Sequence, residues 1–116
     1  MTPEELLDYC LAKPGAWADE PWENDTVVKV GPKIFAFLGA VGPPASVGLK
    51  CARTRAEADE WLHRFPEAAT PMAYIGRFGW NSLVIDGPIP AEEILEAVDA
   101  SYDVVVAALP KRDRPG

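Results

Sequence analysis

A chain of 116 residues, 48% hydrophobic and 25% charged, has the length and composition of one globular domain that buries its own core without disulfides or metal. A formal charge of −7 argues against indiscriminate binding to nucleic acid, and no run approaches the roughly 18 apolar residues of a membrane span. The N-terminal MTPEELLDYC lacks the basic start and apolar run of a secretory signal, so a soluble cytoplasmic monomer is expected.

Thr2-Pro3-Glu4-Glu5 is a capping box with proline at the first helical position, and Leu6, Leu7, Cys10 and Leu11 follow at helical spacing. This first helix ends at Pro14-Gly15. The next ten residues, AWADEPWEND, hold Asp19, Glu20, Glu23 and Asp25 beside Trp17 and Trp22. Their carboxylates suit a hard cation, but no ligand-loop pattern is present, so the segment reads as an acidic turn whose tryptophans pack on the core.

From Thr26 the pattern changes to strands. TVVKV, a Gly31-Pro32 turn and KIFAFL form an antiparallel hairpin with Val28 and Val30 on one face and Lys29 on the other. GAVGPPA is a loop, and SVGLK is a third strand with Val47 and Leu49 inward and Lys50 outward. Thr54-Arg55-Ala56-Glu57 opens a second helix whose stripe is Ala58, Trp61, Leu62 and Phe65, stopped by Pro66. His63 lies off that stripe as a surface residue. Strands around Met72 and Leu83 follow, joined by a glycine-bounded tip in MAYIGRFGWNSLVIDG. Pro90 starts the longest helix, with Ile94, Leu95, Val98, Tyr102, Val105, Val106 and Leu109 on one face and Glu92, Glu93, Glu96, Asp99 and Asp103 on the other.

This order predicts an α+β fold: an antiparallel sheet of about five strands with helices on one face. One domain covers 1–110, and KRDRPG at 111–116 is a basic, mobile tail. Cys10 and Cys51 fit no CxxC or zinc spacing and read as reduced, part-buried thiols.

Charge is sorted by element. Thr26 to Ala56 carries Lys29, Lys33, Lys50, Arg53 and Arg55 with no acid, whereas Asp86 to Asp103 carries six carboxylates and no base. With helices on one face, the molecule becomes a dipole with a basic sheet side. Strands are poor in acids in any case, so part of this sorting needs no function.

Six stretches carry a family resemblance: CLAKPG from Cys10, DEPW, DTVVKVG with KIFAF, GLKC around Lys50, WNSLV around Trp80, and SYDVVVAALPKR near the end. Through them the chain resembles the MmcQ/YjbR family over nearly its whole length. The resemblance implies a frataxin-like (CyaY-like) fold and DNA binding through a double-wing arrangement. Family members commonly carry an Asn-Lys-x-His-Trp-Asn run before the Trp80 strand. Here Ile75-Gly76-Arg77-Phe78-Gly79 precedes Trp80-Asn81, keeping the Trp-Asn pair and leaving Arg77 as a displaced positive charge.

The resulting expectation is a nucleic-acid-binding protein. Lys29, Lys33, Lys50, Arg53, Arg77, Lys111 and Arg112 contact phosphate, and Phe78, Trp80 and Asn81 touch bases. At the same time Trp80 and Asn81 have a competing role, fixing the tip to the sheet. The alternative function is a small-ligand or drug-sequestering domain with an aromatic cleft, suggested by the four tryptophans and by a family member that occurs alongside antibiotic biosynthesis. Cation handling on the acidic surface borrows only from the frataxin-like fold. The chain carries no phosphate loop, nucleophile elbow, paired-His ligand set or Cys-His pair, so neither an enzyme, a cofactor nor a metal site is expected.

Overall fold

The computed structural model describes residues 1–22, 25–38 and 45–115. The GAVGPPA loop, read at 39–45, falls outside them apart from Ala45, as does Glu23. Helix α1, Pro3–Leu11, begins as its capping box dictates: the Thr2 hydroxyl accepts from the Glu5 amide (3.1 Å) and the Glu5 carboxylate accepts from the Thr2 amide (2.8 Å). Those bonds hold the Glu5 carboxyl below its ordinary range. Helix α2, Arg55–Arg64, starts on Thr54, and helix α3, Ala91–Ala108, starts after Pro90.

Among the described residues six strands form one antiparallel sheet: β1 Ala16–Trp22, β2 Asp25–Val30, β3 Lys33–Phe37, β4 Ser46–Lys50, β5 Ala69–Pro71 and β6 Trp80–Val84, in the spatial order β1-β2-β3-β4-β6-β5. The additional strand is β1, which lies where the sequence suggests an acidic turn. An edge position explains it: Pro21 has no amide to give a ladder, and acidic side chains at an edge discourage pairing with another chain. Trp17 is 44% exposed instead of packed in the core, and its Nε1 donates to the Gly31 carbonyl (3.0 Å). A second difference is Met72, which lies beyond β5. There the chain turns, with Tyr74 at φ +65° and the Gly76 amide on the Met72 carbonyl (2.9 Å).

Strand register sorts the two faces. Val28, Ala36, Leu49 and Asn81 form one row across the sheet. The neighbouring row on the opposite face runs Trp17, Lys29, Ile34 on one side and Lys50, Trp80 on the other. The inward assignments of Val28, Val30, Val47 and Leu49 hold, since all four are buried. An irregularity after Val28 puts both Phe35 and Ala36 in the core, where Phe35 meets Tyr102 edge to face at 5.2 Å. Helices α1 and α3 cover β1 to β4. The core-side Asn81 amide donates to the Ala58 carbonyl of α2 (3.0 Å), so α2 lies on that same face. Among the described residues no helix covers the other face, which carries Phe37 and Trp80 in edge contact at 5.4 Å.

The described part of the C-terminal segment, 111–115, makes contacts with the end of α3. Lys111–Asp113 forms a 3-10 turn, and Arg114 donates to the Leu109 carbonyl (2.9 Å) and the Ala107 carbonyl (3.0 Å), satisfying the open end of α3. Among the described residues, no helix is long and apolar enough to cross a membrane.

Candidate nucleic-acid interface

Between β5 and β6 the chain projects as a tip built on the 3-10 turn Gly76–Phe78. The turn closes through the Phe78 amide on the Ile75 carbonyl (3.0 Å) and the Gly79 amide on the Gly76 carbonyl (3.0 Å). Gly79 then reverses the chain at φ +91°, a conformation that favours glycine, and a Cβ there would stand 2.1 Å from the Ala52 carbonyl oxygen. The close approach brings the segment after β4 against the tip and sets Arg53, between Ala52 and Thr54, beside it.

Two cations hold this tip from below. The Arg55 guanidinium reaches the Gly76 carbonyl (2.8 Å), the Trp80 carbonyl (3.3 Å), the Asn81 Oδ1 (2.6 Å) and the Asp59 carboxylate (2.7 Å). Lys50 Nζ donates to the Phe78 carbonyl (2.6 Å). Partial burial pulls the Lys50 pKa below its ordinary value.

Asn81 is completely buried, with one end of its amide on Arg55 and the other on Ala58. It therefore does not reach a base, and its part is to join α2, β6 and the tip. Trp80 is half-buried against Phe37 and anchors the first residue of β6. Above these anchors Arg77 lies over the Phe78 ring at 4.8 Å, Phe78 is 50% exposed, and Tyr74 is 96% exposed. Tyr74 is a contact candidate that pattern reading misses, because only its positive φ turns it out of the strand expected at Met72.

The remaining cations divide. Lys33 is exposed at the start of β3. Lys111 and Arg112 are exposed in the C-terminal turn, whose Asp113 lies against Gly31 of the β2–β3 turn. Lys33, Lys111 and Arg112 thus form a second basic group near that turn. Lys29 joins neither group: its ammonium sits 2.8 Å from the Asp19 carboxylate and 5.1 Å over the Trp17 ring. Because β1 brings Asp19 and Glu20 into the sheet, the sheet is not uniformly basic. It is acidic at the β1 edge and basic from β3 through the tip.

The helical side is acidic, and two of the α3 carboxylates are paired. Asp99 accepts from the Tyr9 hydroxyl (2.8 Å) and pairs with Lys13, and Glu93 pairs with Arg64. Burial works against the Asp99 charge, yet the Lys13 and Tyr9 bonds prevail and hold its carboxyl below the ordinary value. Cys10 and Cys51 are free thiols, pushed by burial to about 12 and about 11, so neither is an activated nucleophile at neutral pH. Among the described residues, no group of three or more His, Cys, Asp or Glu is placed to hold a metal ion.

The family model for YjbR matches residues 11–104, and the uncharacterized protein YjbR of Escherichia coli K12 is 36% identical over 117 residues, covering 98% of this chain and 95% of its own. The chain belongs to the YjbR family. The YjbR protein of E. coli O157:H7 matches to the same extent. The fold is shared with two solved structures. Deinococcus radiodurans protein DR2400, a DUF419 domain, superposes with a TM-score of 0.84 at 24% identity, over 97% of this chain and 87% of its own. A Pseudomonas syringae protein does so with 0.65 at 20% identity, over 90% and 98%. For this member of the YjbR family, the MmcQ/YjbR resemblance read from the sequence is thereby established.

Proposed function

We propose that this YjbR-family protein is a nucleic-acid-binding module, not an enzyme, and that its contact surface is the tip with the basic residues around it. The observation that carries this reading is a turn in which Lys50 bonds the Phe78 carbonyl and Arg77 lies over the Phe78 ring, with the backbone on both sides of Arg53 against Gly79 and with Phe78 and Tyr74 exposed. Guanidinium and ammonium groups suit phosphate, and exposed rings suit the faces of unpaired bases, so the arrangement favours single-stranded over duplex nucleic acid. Lys33, Lys111 and Arg112 extend the phosphate track toward the β2–β3 turn. Asn81 and Trp80 serve from beneath as supports. With the chain at −7 overall, binding is confined to this patch and the acidic helices repel polyanions elsewhere.

Fluorescence anisotropy of a labelled oligothymidylate and of a duplex of equal length, titrated with the protein at rising salt, tests the proposal. The expected result is saturable binding to the single strand that weakens linearly in log–log form as salt rises. Absence of any anisotropy change at low ionic strength, with the protein folded by circular dichroism, refutes it.

A further inference from the structure

The ladder between β3 and β4 stops early. Its Cα partners are Ala36 with Leu49 and Phe37 with Gly48, and beyond them the buried Ser101 of α3 bridges the strands. The Ser101 hydroxyl donates to the Phe35 carbonyl (2.6 Å) and accepts from the Lys50 amide (3.0 Å). One hydroxyl thus replaces a pair of ladder bonds and leaves the sheet parted toward the start of β3 and the end of β4. A cleft of about 260 Å³ opens there. Ile34, Trp80, Val104 and Ala108 supply apolar walls, and Lys33 and Lys50 line it from the two parted strands. No carboxylate lines it among the described residues.

We propose that this cleft is a binding site for a small planar aromatic acid, its ring between Ile34 and Trp80 over the end of α3 and its anionic group between Lys33 and Lys50. The volume suits a compound of one or two fused rings, at the small end of ligand pockets of about 300 Å³ and above. Charge selects the anion: two ammonium groups flank an apolar space, and Lys50 spends one donor on the neutral Phe78 carbonyl and keeps the others. The aromatic lining also fixes what the ligand shares with the walls, a flat face for the indole. The cleft shares Lys33, Lys50 and Trp80 with the nucleic-acid surface but not Arg77 and Phe78, so the Arg77→Gln variant separates the two readings.

The test uses 2-naphthoate, its neutral amide and 2-naphthylmethylamine as probes of the ¹H–¹⁵N spectrum of the full chain. The acid is expected to shift the Trp80 indole N–H and the Ala108 amide saturably, with the amide about tenfold weaker and the amine without effect, as loss of a charge-assisted contact implies. Ala108→Phe, which fills the cleft from an exposed helical position, should abolish the shifts, and Lys33→Glu, at an exposed site that folding does not depend on, should weaken them about tenfold. Arg77→Gln should leave them unchanged while lowering oligothymidylate affinity. Equal shifts from acid and amine, or shifts that survive Ala108→Phe in a folded protein, overturn the assignment, as does an unperturbed spectrum at saturating 2-naphthoate.

Discussion

The two ends of the open sheet face are built from the same parts and end with opposite character. At the β1 edge Lys29 lies over Trp17 and bonds Asp19. At the other end Lys50 stands beside Trp80 in register and bonds the Phe78 carbonyl. A carboxylate cancels the charge it holds, whereas a carbonyl holds an ammonium and leaves its net charge intact. Lys29 is therefore electrically quiet, and with Glu20 beside it the β1 edge stays acidic and offers an anion nothing. The tip keeps Lys50 positive and adds Arg53 and Arg77, so the choice of hydrogen-bond partner, more than the count of lysines, decides where positive charge stays available.

The sharpest way to break the contrast is at two left-handed glycines, Gly79 at the tip and Gly31 near the β1 edge. Gly79→Ala meets the Ala52 carbonyl at 2.1 Å as well as a φ of +91° and should cost about 3 kcal/mol in urea unfolding. Gly31→Ala, near the β1 edge at φ +57°, meets only ordinary contacts of 3.5 Å or more and should cost about 1 kcal/mol. Next in size is Asn81→Ala, which strips Arg55 and the Ala58 carbonyl of a buried partner; a loss of about 2 kcal/mol is expected by the same assay. If Asn81→Ala unfolds at the wild-type midpoint, the tip is not anchored as described.

Phe78→Ala should weaken oligothymidylate binding by about 1 kcal/mol or more, the worth of one stacked base, and leave the unfolding midpoint nearly unchanged. Trp17→Ala, an equally exposed ring at the β1 edge, should leave affinity as it was. The smallest effect concerns acid. The Lys29 hydrogen bond holds the Asp19 carboxyl below its ordinary value. A depressed folded-state value means the pair's contribution is complete above about pH 4 and is lost as pH falls through the folded value. A carboxyl NMR titration of Asp19 should show this low midpoint in the wild type and an ordinary one in Lys29→Met.

The sequence made the central hairpin, the Ser46–Lys50 strand and all three helices legible, because capping boxes, prolines and alternating β-branched residues act locally. It hid β1, since an edge strand with Pro21 and four acidic residues in and beside it, Asp19, Glu20, Glu23 and Asp25, carries the composition of a turn. It also hid Arg55 as the anchor of the tip. Arg55 and Asn81 are 26 positions apart, and only the packing of α2 on β6 joins them. Arg77 and Phe78 are legible as exposed residues between glycines, whereas Asn81 reads as a base contact and, more strongly, as a support of the tip, and its burial leaves the support. Lys29 was assigned to the basic face with Lys50. The register does put both there, but the unseen β1 strand supplied the carboxylate that neutralises one of them.

The most direct test is the salt dependence of oligothymidylate affinity for Arg77→Gln and Lys29→Gln, each of which removes one positive charge. Arg77→Gln should lower affinity severalfold and reduce the log–log salt slope by about 0.7, the value for one phosphate contact on a single strand. Lys29→Gln should leave affinity and slope at wild-type values. Equal losses in the two variants, or a wild-type slope retained by Arg77→Gln, would contradict the claim that the tip is the contact surface.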